Sequence, residues 1–256
     1  MNRTLDIQFR VIFALILREI HTLYGHRKLG YLWALIRSAC SIFIFWTIRT
    51  VMHFKPPHGQ HVLVFLAMGF MIWHIFSKTV SKILDADKGN RKLLTYPQVC
   101  SLDIILARTL VIVATEIVCI GIIFQFAAFF NVDIYICNFL YLYLALVFVI
   151  FLAIGFGSCC SALAVFFPVI ETILPMFLRI LFFASGVFFS VSSISSRVGS
   201  WLLYNPILQI IEMARTAMSK NYVSPYFSTD YLFFVILTLL TIGLLLQRFQ
   251  SKRVLA

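Results

Sequence analysis

The sequence predicts an all-α polytopic membrane protein: six transmembrane helices, an amphipathic interfacial helix ahead of the first, and short re-entrant helices on the non-cytoplasmic side before the last. Three observations predict it. Hydrophobic residues make up 61% and charged residues 12% of 256, at a mean hydropathy of +0.96, whereas charged residues ordinarily supply about a quarter of a soluble domain. Apolar runs long enough to cross about 30 Å of hydrocarbon occur six times, over 29–51, 61–77, 104–130, 139–167, 170–190 and 231–247. Lys and Arg are divided unevenly between the connections. The spans occupy most of the chain, so residues 1–256 read as a single transmembrane domain without room for a soluble catalytic domain of ordinary size.

Ahead of the first span, Asp6, Arg10, Arg18 and His21 recur at helical spacing against Phe9, Ile12, Phe13, Ile16, Ile20 and Leu23. Such a helix, assigned here to residues 1–28, lies in the membrane interface. It does not read as a cleavable signal, because Asp6 and Glu19 lie in it and its apolar stretch from Val11 to Leu17 is short, with no small-x-small site after it. The stretch "REIHTLYGHRKLGYLWALI" follows. Gly25 and Gly30 have the spacing of a phosphate-cradling loop, but Tyr31 and Leu32 stand where Lys and Ser or Thr are needed. The glycines instead permit a bend from the interfacial helix into span 1, with Arg27 and Lys28 at the headgroups and Tyr24, Tyr31 and Trp33 as interfacial anchors.

Between spans 2 and 3, "SKILDADKGNRKLLTYPQV" reads as a short charged helix followed by a turn at Tyr96-Pro97. Span 4 carries Gly155, Gly157, Ser158, Cys159, Cys160, Ser161 and Ala162, small residues that allow close helix contact. A tight turn from Phe167 to Glu171 then leads into span 5. In the segment 190–230, Asn205-Pro206 is a cap followed by a first-turn proline. Ile207, Leu208, Ile210, Ile211 and Ala214 form a face opposite Gln209, Glu212 and Thr216. A short helix dipping into the outer leaflet is expected there.

Thirteen of the 21 Lys and Arg fall on one side: Arg3, Arg10, Arg18, Arg27 and Lys28, then Lys78, Lys82, Lys88, Arg91 and Lys92, then Arg248, Lys252 and Arg253; Lys55, Arg197, Arg215 and Lys220 fall on the opposite, non-cytoplasmic side, and Arg37, Arg49, Arg108 and Arg179 within the spans. The positive-inside rule puts that side, and both termini, in the cytoplasm. The net charge of +11 is thus a topology signal, and nucleic acid is not an expected partner. The six cysteines form no C-x-x-C pair and read as packing residues. His53, His58 and His61 have a loose metal-like spacing without a nearby Cys or carboxylate, so no metal site is assigned. No nucleophile and base can be paired in the sequence, so no enzymatic activity is assigned. The energy for any transport must come from a partner.

The segments "LREIHTLYGHRKLGYLWALI", "SK" with "TYPQVCSLDIILAR", "FFPVIETILPMFLRILFFASGVFFSVSSIS" and "YNPILQIIEMAR" resemble the membrane subunit of type-2 ABC exporters for capsular polysaccharide in Gram-negative bacteria. The resemblance runs in order along nearly the whole chain. It implies a multi-pass inner-membrane protein in which two copies of the permease pair with two copies of a separate cytoplasmic ATPase. That partner binds ATP and magnesium, and this chain binds no cofactor. The implied substrate is a lipid-linked polysaccharide. A periplasmic polysaccharide co-polymerase and an outer-membrane export protein are the implied further partners. Residues 83–96 match the family's coupling helix, which seats on the ATPase, with Asp85, Asp87, Lys88, Arg91 and Leu94 as its contact candidates. The helix up to Arg27 matches the gate helix, and Tyr204-Asn205-Pro206 the periplasmic re-entrant helices. Arg37-Ser38 departs from relatives, which commonly have an acidic residue followed by proline there. Alternatives are a permease for O-antigen or teichoic-acid polymers, a type-2 exporter of small molecules or drugs, and a membrane scaffold without transport.

A sugar polymer has polar edges and apolar C–H faces, so its path favours aromatic walls with occasional cations. Candidates are Tyr24, Arg27, Tyr31, Trp33, Arg37, Phe45, Trp46, Arg49 and Arg179. Arg27 either anchors the bend or receives the phosphate of the substrate. Arg37 and Arg179 lie too deep for easy snorkelling and either line a watery path or serve the structure. Arg108, one turn into span 3, is expected to snorkel to the cytoplasmic headgroups. Glu116, mid-span, either pairs with one of these arginines or serves transport. The topology predicts that a cysteine introduced at Asn90 resists an impermeant thiol reagent in whole cells; labelling without permeabilisation would refute the six-span assignment.

Overall fold

The computed structural model describes residues 2–24, 30–53, 60–85, 101–132, 134–193, 196–220 and 224–254. Its regular elements are helices: α1 (Asn2–Tyr24), α2 (Gly30–Val51), α3 (Val62–Leu84), α4 (Ser101–Phe129), α5 (Phe139–Phe166), α6 (Ile170–Ala184), α7 (Ser196–Leu202), α8 (Pro206–Ala217) and α9 (Thr229–Val254), with a 3-10 turn at Val191–Ser193. Five are long and apolar enough to cross a membrane, over Leu32–Val51, Val62–Leu84, Leu102–Phe129, Phe139–Phe166 and Thr229–Arg248. The run expected as a further span, 170–190, folds differently. Its helix has 15 residues with Pro175 inside, so it extends only about 22 Å. It ends at Ser185, and Gly186 follows at φ +76°, a conformation that side chains with a Cβ resist.

At the centre stands α3, buried along nearly its whole length and packed against α2, α4, α5 and α8. A helix apolar all round needs protein on all sides, and its Leu63, Phe65, Leu66, Met68, Phe70 and Ile72 are each at most 2% exposed. Its first turn is capped by His61, whose Nδ1 accepts from the Leu63 N–H at 3.2 Å. Its last turn runs on to Leu84, so Lys78 and Lys82, expected in the following loop, lie on the helix itself. By contrast α2 buries little besides Ser38 and Ile42.

The small residues of α5 serve contacts with two neighbours. A Cβ on Gly155 would stand 2.9 Å from the Leu240 backbone nitrogen of α9, and one on Gly157 would stand 2.9 Å from Ile83 Cδ1 of α3. The α9 face answers with Gly243, whose added Cβ would come within 2.8 Å of the Gly155 carbonyl oxygen. The turn between α5 and α6 is as short as expected, closed by Ile170 N–H to Phe167 O and Glu171 N–H to Pro168 O, both 3.1 Å.

In α8, Asn205 caps as expected: its Oδ1 accepts from Ile207 N–H at 3.0 Å, and Pro206 starts the helix. The two-faced character does not survive folding, because Ile207 through Ala217 are all buried. The polar side is sealed by protein partners. Gln209 donates to Leu203 O at 2.6 Å and accepts from Ser228 N–H at 2.9 Å, while Thr216 Oγ1 accepts from Ser224 N–H at 3.1 Å. Arg215, counted above as a charge of the non-cytoplasmic side, is 1% exposed.

Because backbone leaves no room at the α5–α9 crossing, Gly243→Ala is expected to cost about 1–3 kcal/mol by overpacking. Gly121→Ala, where an added Cβ meets nothing within 4 Å, should be neutral or slightly stabilising. Thermal unfolding of the two variants in detergent measures the contrast.

Candidate functional site

Three helices meet at a buried carboxylate. Glu116 of α4 is 1% exposed and accepts from Lys78 Nζ of α3 at 2.5 Å and from Ser38 Oγ of α2 at 3.0 Å. Its other oxygen faces His74 Nδ1 at 3.3 Å. Lys78 also donates to Ser38 Oγ at 2.7 Å. His74 and Lys78 are four residues apart on α3, one turn above the other on the same face. The lysine keeps about a third of its side chain accessible, 34%, against 1% for the carboxylate. Of the two readings left open for Glu116, the ion pair with an arginine is corrected: its partners are Lys78 and His74. The register between α3 and α4 decides this.

Beside this cluster runs a wall of aromatic rings. Phe45 of α2 lies 5.5 Å from Phe70 and 4.6 Å from Phe188, and Phe182 lies 5.1 Å from Phe188 and 5.3 Å from Trp73. Phe70 in turn approaches the His74 ring at 5.6 Å. Centroid separations of 4.5–7 Å are those at which ring quadrupoles attract. Trp46 meets Phe43 edge-on at 6.1 Å. Arg49, half-buried, donates to the Phe188 carbonyl and sits 5.9 Å from that ring's centroid. It joins the far end of α2 to the turn after α6.

Of the predicted path residues, Trp33 and Arg37 on α2 and Arg179 on α6 are exposed, whereas Phe45, Trp46 and Arg49 are half-buried in the contacts just given. The side chains of Tyr24 and Tyr31, and Arg27 altogether, lie outside the described residues. Of the coupling candidates, Asp85 is exposed and caps the end of α3, its N–H bonding Ser81 O at 3.2 Å; Asp87, Lys88, Arg91 and Leu94 lie outside the described residues. Arg108 does not snorkel. Its Nε pairs with Glu19 of α1 at 2.9 Å, and its Nη1 donates to Lys82 O of α3 at 2.8 Å. A buried carboxylate nearby outcompetes the headgroups.

The sequence reading missed Ser38, His74, Lys78 and Glu19. A signal existed, since Glu116 is the one acidic residue away from a helix end in the five membrane-length helices, and an i,i+4 pair of bases stands on the preceding helix. Among the described residues no group of three or more His, Cys, Asp or Glu could hold a metal ion. What the arrangement can do is hold helices in register and present cations and rings along α2 and α6.

The ABC-2 type transporter family matches residues 10–219. Polysialic acid transport protein KpsM of Escherichia coli is 34% identical over 255 residues, covering 98% of this chain and 97% of that one. Capsule polysaccharide export inner-membrane protein BexB of Haemophilus influenzae is 27% identical over 255 residues, covering 99% and 96%. CtrC of Neisseria meningitidis serogroup A, of the same description, is 25% identical over 252 residues, covering 98% and 95%.

The cluster makes a thermodynamic prediction. Lys78→Met strands the Glu116 carboxylate with weaker partners and should cost about 3–5 kcal/mol, while Lys78→Met with Glu116→Leu should recover most of it. Unfolding in detergent of Lys78→Met, Glu116→Leu and the double variant completes the double-mutant cycle, and a double loss equal to the sum of the two single losses would show that the pair is not coupled.

Proposed function

This chain belongs to the ABC-2 type transporter family, and on that premise we propose that it is the permease subunit of an ATP-driven exporter that moves a lipid-linked capsular polysaccharide across the bacterial inner membrane. The observation that carries the reading is the near-full-length similarity to proteins of capsule export and polysialic acid transport. Two copies work with a cytoplasmic ATPase pair, which supplies ATP hydrolysis with magnesium. Closure of that pair pushes on residues 83–96. The gate helix α1 admits the lipid-linked end of the polymer from the cytoplasmic leaflet, and a periplasmic co-polymerase and an outer-membrane protein take the polymer onward.

The topology of this reading has six spans and cytoplasmic termini. Basic residues flank both the N-terminal helix and the end of α9, which favours one side for both. Five crossings would separate the termini, so α6 and the turn after it carry the chain across a further time. The segment 190–230, with α7 and α8, is then re-entrant from the periplasm. Its short helices sit at depth because protein, rather than lipid, satisfies their backbone and polar groups. The path runs along the exposed parts of α2 and α6, where Trp33, Arg37 and Arg179 offer a ring for sugar C–H faces and cations for carboxylates or phosphates.

In cells lacking this chain, polymer should accumulate in the cytoplasm, and the intact gene should restore export. Arg27→Lys should restore it less well than Lys28→Arg at equal abundance and unchanged ATPase assembly. A bidentate pair with a substrate phosphate is lost when an ammonium replaces the planar guanidinium. Full export by Arg27→Lys would leave Arg27 as an anchor of the bend and move substrate contact inward to Arg37 and Arg179.

A further inference from the structure

α1 is seated by a small contact. Leu15 packs on Ile104 and Ala107 of α4, with Val11 and Ile16 beside it, and Glu19 is buried one turn further on at 5% exposure. Its carboxylate meets Arg108 Nε at 2.9 Å, with the arginine side chain 12% exposed. The same guanidinium reaches in a second direction, since Nη1 donates to the Lys82 carbonyl at 2.8 Å. That oxygen belongs to the last turn of α3, where carbonyls have no intrahelical partner and a cation is favoured by the helix dipole.

The last turn of α3 is a stem packed on α4 and α5. Ile83 is 1% exposed and clusters with Ile105 of α4 and Ile154 of α5, and Gly157 approaches it so closely that an added Cβ would stand 2.9 Å from Ile83 Cδ1. Beyond this stem the chain enters residues 86–100. One side chain thus touches both the α1 helix and the base of the segment that follows α3.

We propose that Arg108 is a positioning residue that transmits movement of the coupling segment, through the Lys82 carbonyl, to Glu19 and the gate helix. This rests on the reading of residues 83–96 and of α1 given above. A displacement of the stem carries its capping guanidinium with it, and the buried ion pair obliges α1 to follow, because separating the pair strands a charge away from water. The planar fork matters: two nitrogens serve two helices at once, whereas the single nitrogen of lysine cannot hold both positions.

The test uses the full permease with its ATPase in membranes, with a reporter cysteine replacing Leu17, an exposed position on α1. In the otherwise native protein, ATP with magnesium should change the labelling rate of that cysteine. Arg108→Lys and the near-isosteric Glu19→Gln should each suppress that change. Export should fall about tenfold, as for one charge-assisted hydrogen bond, while co-purification with the ATPase and hydrolysis persist. The proposal is overturned if nucleotide-dependent labelling and export survive Arg108→Lys at equal abundance, or if the native protein exports without any labelling change. It is also overturned if both variants merely lose abundance and the exchange Glu19→Arg with Arg108→Glu restores export, since the pair is then a fastening only. Failure of the native permease to bind or need an ATPase would instead refute the transport reading itself.

Discussion

Arg215 is the point from which the packing of the upper half of the molecule follows. Fully buried on α8, it donates to Val187 O at 2.8 Å, Phe189 O at 3.0 Å and Phe65 O at 3.4 Å, pairs with Glu212 at 3.4 Å, and lies 3.5 Å from the centroid of Phe65. A guanidinium away from water is tolerable only when its donors are met, and here the carbonyls come from the turn after α6 and from α3. Gly69 gives it room: an added Cβ would stand 3.0 Å from Nη2. Gly186 bends the chain so that Val187 and Phe189 face it. Gln60 returns the favour by donating to the Arg215 carbonyl at 2.9 Å, drawing the start of α3 to the end of α8.

The same rule governs the lower half. Two joints between long helices combine packing with polar contacts: Glu116 with Lys78, His74 and Ser38 between α2, α3 and α4, and Arg108 with Glu19 and Lys82 O between α1, α3 and α4. Lipid tails compete equally for apolar side chains, so helix association in a membrane relies on such bonds and on small residues. The α5–α9 pair uses the small residues, with Cys159 Sγ reaching Leu239 O at 3.5 Å. These joints leave a graded structure. α5, α8 and the body of α3 pack densely, whereas α1 and α2 meet them through a few specific contacts.

α2 is fastened by Ser38 at one level and by Arg49 on Phe188 O at another. Between these, Phe45 rests on rings that can slide at small cost, since tilted and edge-on aromatic pairs differ little in energy. The half-exposed ammonium of Lys78 and the exposed guanidinium of Arg37 leave this side of the protein cationic.

By itself the sequence determined the helical membrane class, five of the six long apolar helices, the α5–α6 turn, the Asn205-Pro206 start of α8 and the close-packing role of Gly155 and Gly157. Each follows from local information: run length against bilayer thickness, a cap before a proline, small residues in succession. What only the tertiary structure decided is which charges meet. Arg108 was expected at the headgroups, Glu116 beside an arginine and Arg215 among the charges of the non-cytoplasmic side, yet each found a partner on another helix. The length of α6 belongs to the same class: the helix stops before Gly186 within an apolar run, and the turn that follows sets the Val187 and Phe189 carbonyls on Arg215. Partner choice among buried charges depends on the register between antiparallel helices. One residue of shift turns a side chain by about 100° around its helix, and no periodicity within a single segment records that angle.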